Sequence, residues 1–187
     1  MWSGPTARAV FGLVALCGVH LWPLIQAPVT VGTELDWKYF QQLWEADARS
    51  VRAYGQFPLW NPWYCGGNPQ LGNPQAQFLS PLGWLGPLIG AALAIKVHLL
   101  GHFILGALGM LLWARSSGLG HAASTVSGGA WVLCGFFAMR AGGGHSAFLA
   151  FLLIPWAMLA WDLGRARWWA AGLAGLVLGT MLLSGGM

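Results

Sequence analysis

Glu34 to Pro81 reads ELDWKYFQQLWEADARSVRAYGQFPLWNPWYCGGNPQLGNPQAQFLSP, the one long polar interruption in a chain that otherwise reads as hydrocarbon. It holds Glu34, Asp36, Glu45 and Asp47, which leaves Asp162 as the one carboxylate outside it. From Asp36 to Tyr54, Trp37, Phe40, Trp44, Val51 and Tyr54 recur at helical spacing, with Lys38, Gln42, Glu45, Arg49 and Arg52 on another side. That pattern predicts an amphipathic helix at the membrane surface, stopped by Gly55. Beyond it, Pro58, Pro62, Pro69, Pro74 and Pro81 exclude a long helix or a central strand. Gly67-Asn68-Pro69-Gln70 recurs as Gly72-Asn73-Pro74-Gln75, two Asn-Pro turns that make a rigid loop rich in amide groups.

Working outward, the composition is that of a membrane protein. Of 187 residues, 57% are hydrophobic and 7% are charged, where soluble domains carry about 25% charge. The 13 Trp agree, because indole rings favour the bilayer interface. A net charge of +4 is spread thinly between apolar stretches and forms no cluster, which excludes a nucleic-acid footprint. Cys17, Cys65 and Cys134 lie far apart, and no disulfide framework follows.

About five spans are expected, each near the length a hydrocarbon core requires: Ala7 to Ala27, Ala94 to Trp113, Ala122 to Ala138, Ala147 to Leu163 and Trp168 to Leu183. Leu82 to Ile95, broken by Gly83, Gly86, Pro87 and Gly90, reads as a short or interrupted helix. The first span reads as an uncleaved anchor, because Ile25 stands where a signal-peptidase site wants a small side chain. The predicted fold class is therefore all-α, a polytopic transmembrane helical protein. Residues 1–187 form a single transmembrane domain, and 28–81 form a large first loop that contains the amphipathic interfacial helix.

Orientation follows from the short loops. Arg8, Arg115, Arg165 and Arg167 share one side, which the positive-inside rule assigns to the cytoplasm. The expected location is the inner (cytoplasmic) membrane, with a cytoplasmic N-terminus and an extracytoplasmic large loop.

Several side chains carry chemistry in this frame. Asp36 opens the amphipathic helix just after the first span, with Glu34 two residues before it; such a carboxylate serves as a general base or as an ordinary helix-terminal charge. Arg140 and His145 flank Gly142, Gly143 and Gly144 at the same end as the loop, a cradle for an anionic head group such as a phosphate or a flexible hairpin with a snorkelling arginine. Trp60, Asn61, Asn68, Gln70, Asn73 and Gln75 offer hydrogen bonds and an aromatic face to a substrate, or form a structural lid. His98 and His102 share a helix face at a spacing compatible with a metal or haem, or with interhelical hydrogen bonding.

In order along the chain, Asp36-Trp37-Lys38-Tyr39-Phe40, Gly55-Gln56-Phe57-Pro58-Leu59-Trp60-Asn61-Pro62-Trp63, Asn73-Pro74-Gln75 and Ser80-Pro81-Leu82, then Gly144-His145 before an apolar span with Pro155, resemble the opening of YfhO-like bacterial membrane proteins. These in turn are similar to the GT-C class of membrane glycosyltransferases. The resemblance implies a polytopic enzyme that takes a sugar from a polyprenyl-phosphate carrier at the outer face and moves it to a lipid or cell-envelope acceptor. It also implies that an acidic residue of the first outer loop is the general base, which maps onto Asp36 with Glu34 as its neighbour. Proteins of that class carry more spans, often followed by a soluble domain, so this chain is expected to be the N-terminal part of a longer module. On the same resemblance, a piece of this extent is expected to hold the acceptor-side loop and to lack part of the donor groove.

The rival class is a non-enzymatic membrane protein, either a transporter of lipid-linked substrate or an assembly subunit. A transporter wants polar residues along a path through several spans, whereas polarity here is gathered at one face. The expected partners are the polyprenyl-phosphate-linked sugar donor, the acceptor and membrane lipids. No cofactor is indicated by the sequence; a divalent metal is compatible with it without being called for.

Overall fold

The computed structural model describes residues 4–27, 36–73 and 75–185; it is helical apart from the irregular stretch between Tyr54 and Leu85, which holds one small hairpin. Helix α1 (Gly4–Gln26) is followed by α2 (Asp36–Tyr54), the bounds that the periodicity predicts. The proline-rich stretch then folds back as a two-residue hairpin, β1 (Trp60–Asn61) against β2 (Asn68–Pro69), with Trp60 opposite Pro69. A ladder so short tolerates a proline, which removes only one donor at its end.

Helix α3 (Leu85–Ile89) is the predicted short helix, cut from α4 (Ala91–Ser116) by Gly90 at φ +88°. Next come α5 (His121–Val132) and α6 (Gly135–Gly142), parted where Cys134 is extended. A 3-10 segment, Ser146–Leu153, leads into α7 (Ile154–Gly164). Pro155 sits in the first turn of α7, where its missing N–H costs no helical bond. Helix α8 (Trp168–Leu183) closes the described fold.

Four of these units are long and apolar enough to cross a membrane: Gly4–Gln26, Ala91–Ser116, His121–Gly142 and Ser146–Gly164. The protein is thus a helical, polytopic, membrane-embedded chain. Helix α8 is apolar but has 16 residues, a rise of about 24 Å against a hydrocarbon core of about 30 Å. It packs along α7.

Helix α4 is the central post. Ala94, Phe103 and Ala107 are fully buried, and α1, α5, α7 and the 3-10 segment pack around it. Small residues make the close approaches possible: a Cβ on Gly106 would lie 2.9 Å from Leu152, and one on Gly109 would lie 2.6 Å from the Trp156 indole. The indole N–H of Trp156 donates to Leu105 O at 2.7 Å. Apolar side chains face outward in turn, with Phe11, Val126 and Trp168 at 77%, 70% and 87% exposure, as lipid contact requires.

The helix ends sort into two sets. Lys96 Nζ donates to Ile25 O at 2.7 Å, joining the end of α1 to the start of α4 on the side of the large loop. Trp113 Nε1 donates to Asp162 Oδ2 at 2.9 Å on the other side, where Arg115 and Arg165 also lie.

Helix α2 is docked on protein. Trp37, Phe40, Leu43 and Trp44 are buried, Trp44 packs edge-on against His98 of α4, and Arg52 donates to Pro87 O of α3. Tyr54, grouped with the apolar face by its spacing, is 60% exposed and stands 6.0 Å from the Trp63 ring.

Candidate functional site

Asp36 is the first residue of α2 and Arg140 lies in the last turn of α6, so each charge has the sign that its helix end favours. The turn after α6 brings them together. Gly144 adopts φ +81°, and a Cβ there would fall 2.5 Å from the Trp37 backbone nitrogen. The backbone therefore presses on the opening turn of α2 in a way that only glycine allows.

This contact delivers His145 to Asp36. His145 Nε2 lies 2.7 Å from Asp36 Oδ2, and an Arg140 terminal nitrogen lies 2.9 Å from His145 Nδ1. A guanidinium can only donate, so Nδ1 accepts and the ring proton sits on Nε2, directed at the carboxylate. The result is a chain from Arg140 through His145 to Asp36 in which one carboxylate oxygen is held and oriented. Asp36 and His145 side chains are 41% and 34% exposed, so both remain open to solvent or substrate. The Arg140 guanidinium lies over the Phe148 ring at 4.3 Å and the Phe136 ring at 5.3 Å, which fixes it while, among the described residues, most of its five N–H donors stay uncommitted.

The Arg140–His145 pair and Asp36, selected separately in the sequence, are thus one contact group. Glu34 lies outside the described residues. The loop amides divide by role. Asn73 Nδ2 donates to the Tyr39 hydroxyl at 3.2 Å and its Oδ1 accepts from Gln75 N, so this turn leans on the first part of α2. Asn61 is buried, with Oδ1 accepting from Trp63 N at 3.0 Å. Asn68 is half-buried, Trp60 is 54% exposed, and Gln75 is exposed.

Gln70 is buried and serves α2: its Nε2 donates to Asp47 Oδ1 at 2.8 Å and to Leu43 O at 3.2 Å. Asp47 is 3% exposed, and burial pushes its carboxyl up to about 7 against the lowering effect of the Gln70 bond.

Two of these structural residues escaped the sequence reading. Asp47 follows Phe40 by seven positions and Trp44 by three, a spacing that places it on the apolar face. Gln77 has no comparable signal. It sits at φ +51°, accepts from Trp44 Nε1 at 3.1 Å and from Ser146 Oγ at 3.3 Å, and donates to Ser184 O at 3.0 Å. One buried amide thereby ties the loop to α2, to the 3-10 segment and to the end of α8.

His98 and His102 are both buried in α4, with ring centroids 4.2 Å apart, and His102 Nδ1 donates to His98 O at 2.9 Å. Rings in such contact leave no room for a porphyrin between them, so the pair does not fit a bis-histidine haem. No cluster of three or more His, Cys, Asp or Glu side chains occurs among the described residues.

No family model, curated protein or solved structure matches the chain.

Proposed function

We propose that the protein is a membrane glycosyltransferase, or the N-terminal part of one, that moves a sugar from a polyprenyl-phosphate carrier to a lipid or cell-envelope acceptor. The proposed setting is the outer face of the inner (cytoplasmic) membrane, with the N-terminus in the cytoplasm and the large loop outside. The reading rests on the resemblance to YfhO-like and GT-C proteins. The observation that carries it in the structure is the Arg140–His145–Asp36 chain at the head of α2.

Asp36 is the proposed base. As the acceptor oxygen bonds to the anomeric carbon, its proton passes to the Asp36 carboxylate, and the carbon–oxygen bond to the carrier phosphate breaks with the electron pair leaving on the phosphate. Held through Oδ2 by His145, the carboxylate meets the hydroxyl with Oδ1. Arg140, two residues from the Gly142 end of α6, supplies N–H donors for the departing phosphate.

The test is transfer activity in membranes from cells that make the protein, with a polyprenyl-phosphate sugar as donor. Asp36→Asn keeps the size of the side chain and its bond from His145, and transfer should fall by about 10²–10⁴-fold. Arg140→Met should mainly raise KM for the donor. Full transfer by Asp36→Asn would remove the enzymatic reading of this site.

A further inference from the structure

A second site lies along α2, on a stripe that the Asp36 group does not use. Gln42, Glu45, Ala46 and Arg49 follow the i, i+3, i+4, i+7 spacing of one helix face. They form one wall of an open cavity of about 370 Å³, whose other wall is Asn61, Trp63, Tyr64 and Cys65. The opposite wall is shaped by three successive residues at positive φ, Cys65, Gly66 and Gly67, which turn the chain back toward β2.

The charges in this cavity are arranged unusually. Glu45 and Arg49 stand four apart with the acid first, the order in which a helix normally closes an ion pair. Here Glu45 takes the Gln41 amide at 2.6 Å, while the Arg49 guanidinium lies over the Trp63 ring at 5.0 Å. Among the described residues the two make no ion pair with each other. Opposite charges held apart, together with two amides and a phenol, suit a ligand whose groups both donate and accept.

We propose that this cavity binds a neutral saccharide ring. A hydroxyl group donates to the Glu45 carboxylate and accepts from Arg49, so a polyol satisfies both without adding charge. A simple anion would meet Glu45, and a simple cation would meet Arg49. The volume is in the range of small-molecule sites, and Trp63 and Tyr64 in its lining offer apolar contact to the C–H groups of a sugar. Gln42 is six residues from Asp36, about 9 Å along the helix axis. Tyr39 joins the two regions, with its ring 5.7 Å from that of Tyr64. Assigning the cavity to the acceptor rests on the glycosyltransferase reading; saccharide binding itself does not.

Cys65 provides the readout, because it is exposed and lines the cavity, whereas Cys17 is buried and Cys134 is half-buried within the span His121–Gly142; a Cys134→Ala background removes the latter from the measurement. With the protein in nanodiscs, the rate of Cys65 alkylation by iodoacetamide is followed with and without millimolar methyl glycosides of hexoses, N-acetylhexosamines, deoxyhexoses and pentoses. At least one glycoside should slow alkylation about tenfold at saturation. Glu45→Gln and Gln42→Ala, both at exposed positions of α2, should each weaken that protection by about tenfold, the value of a hydrogen bond to a charged or polar partner. The unliganded alkylation rate of each variant reports whether the cavity is intact. Protection of Cys65 is read without any donor or transfer step, so absence of transfer activity and absence of saccharide binding are separate failures. The proposal is overturned if no glycoside protects Cys65, if inorganic phosphate or a zwitterion such as glycine betaine protects as well as the best glycoside, or if Glu45→Gln leaves protection intact.

Discussion

Replacing Asp47 by Asn perturbs a buried group whose charge state changes in the physiological range. In the folded protein the carboxyl is 3% exposed and its pKa is about 7, against an ordinary value of 3.8. A group whose pKa is raised on folding holds its proton more tightly in the native state. Its contribution to stability is therefore complete below about pH 4 and is lost as the pH rises to about 7, then stays constant. The shift of about three units corresponds to an upper limit of about 4 kcal/mol. The amide introduced by Asp47→Asn keeps an oxygen for Gln70 Nε2 and adds an N–H donor for Gln70 Oε1, which has no partner among the described residues. The assay is denaturant unfolding of wild type and Asp47→Asn in detergent, followed by tryptophan fluorescence between pH 4 and 9. Asp47→Asn should match wild type near pH 4 and exceed it by about 2–4 kcal/mol at pH 8. A stability difference that does not change with pH, or a wild type that gains stability as the pH rises, would refute the neutral-acid account of this residue.

Trp44→Ala should destabilise the α2–loop unit by about 3–5 kcal/mol, because the ring is buried and bonded to Gln77; faster hydrogen exchange across residues 36–54 is the measurement. Gly144→Ala places a Cβ against the Trp37 nitrogen at positive φ, and should separate His145 from Asp36 and lower transfer while leaving the rest of the bundle protected from exchange. A membrane-impermeant thiol reagent added to intact cells should label Cys65 and spare Cys17 and Cys134, which lie in membrane spans; labelling of Cys65 only after the cells are opened would invert the proposed orientation.

Much of this architecture is local and therefore legible in one dimension. Hydropathy marks the spans because lipid forces each to satisfy its backbone internally, and the 3.6-residue period marks α2 from Asp36 to Tyr54 residue for residue. Glycine punctuation places the break at Gly90, whereas Asn68-Pro69, read in the sequence as a turn, is strand β2, and the chain reverses between Asn61 and Asn68 instead. Asp36 and the Arg140–His145 pair were also visible, each by itself, as polar groups at the ends of apolar segments.

Their assembly was not. It depends on how the turn between α6 and the 3-10 segment meets α2, and on Gly144 accepting a close backbone contact, neither of which leaves a periodic trace. For the same reason spacing alone puts Asp47 on the apolar face but does not supply Gln70, and nothing in the local sequence marks Gln77 as the amide that reaches Ser184. Even the covering of α2 was decided in three dimensions. A stripe of Trp and Phe announces that something apolar must cover it, while the packing of α2 on α3 and α4, with Ala147 against Phe40 and Leu43, makes that cover protein. Composition and period determine which segments bury themselves; the neighbours that receive them, and the polar groups that those neighbours bring, are properties of the tertiary structure.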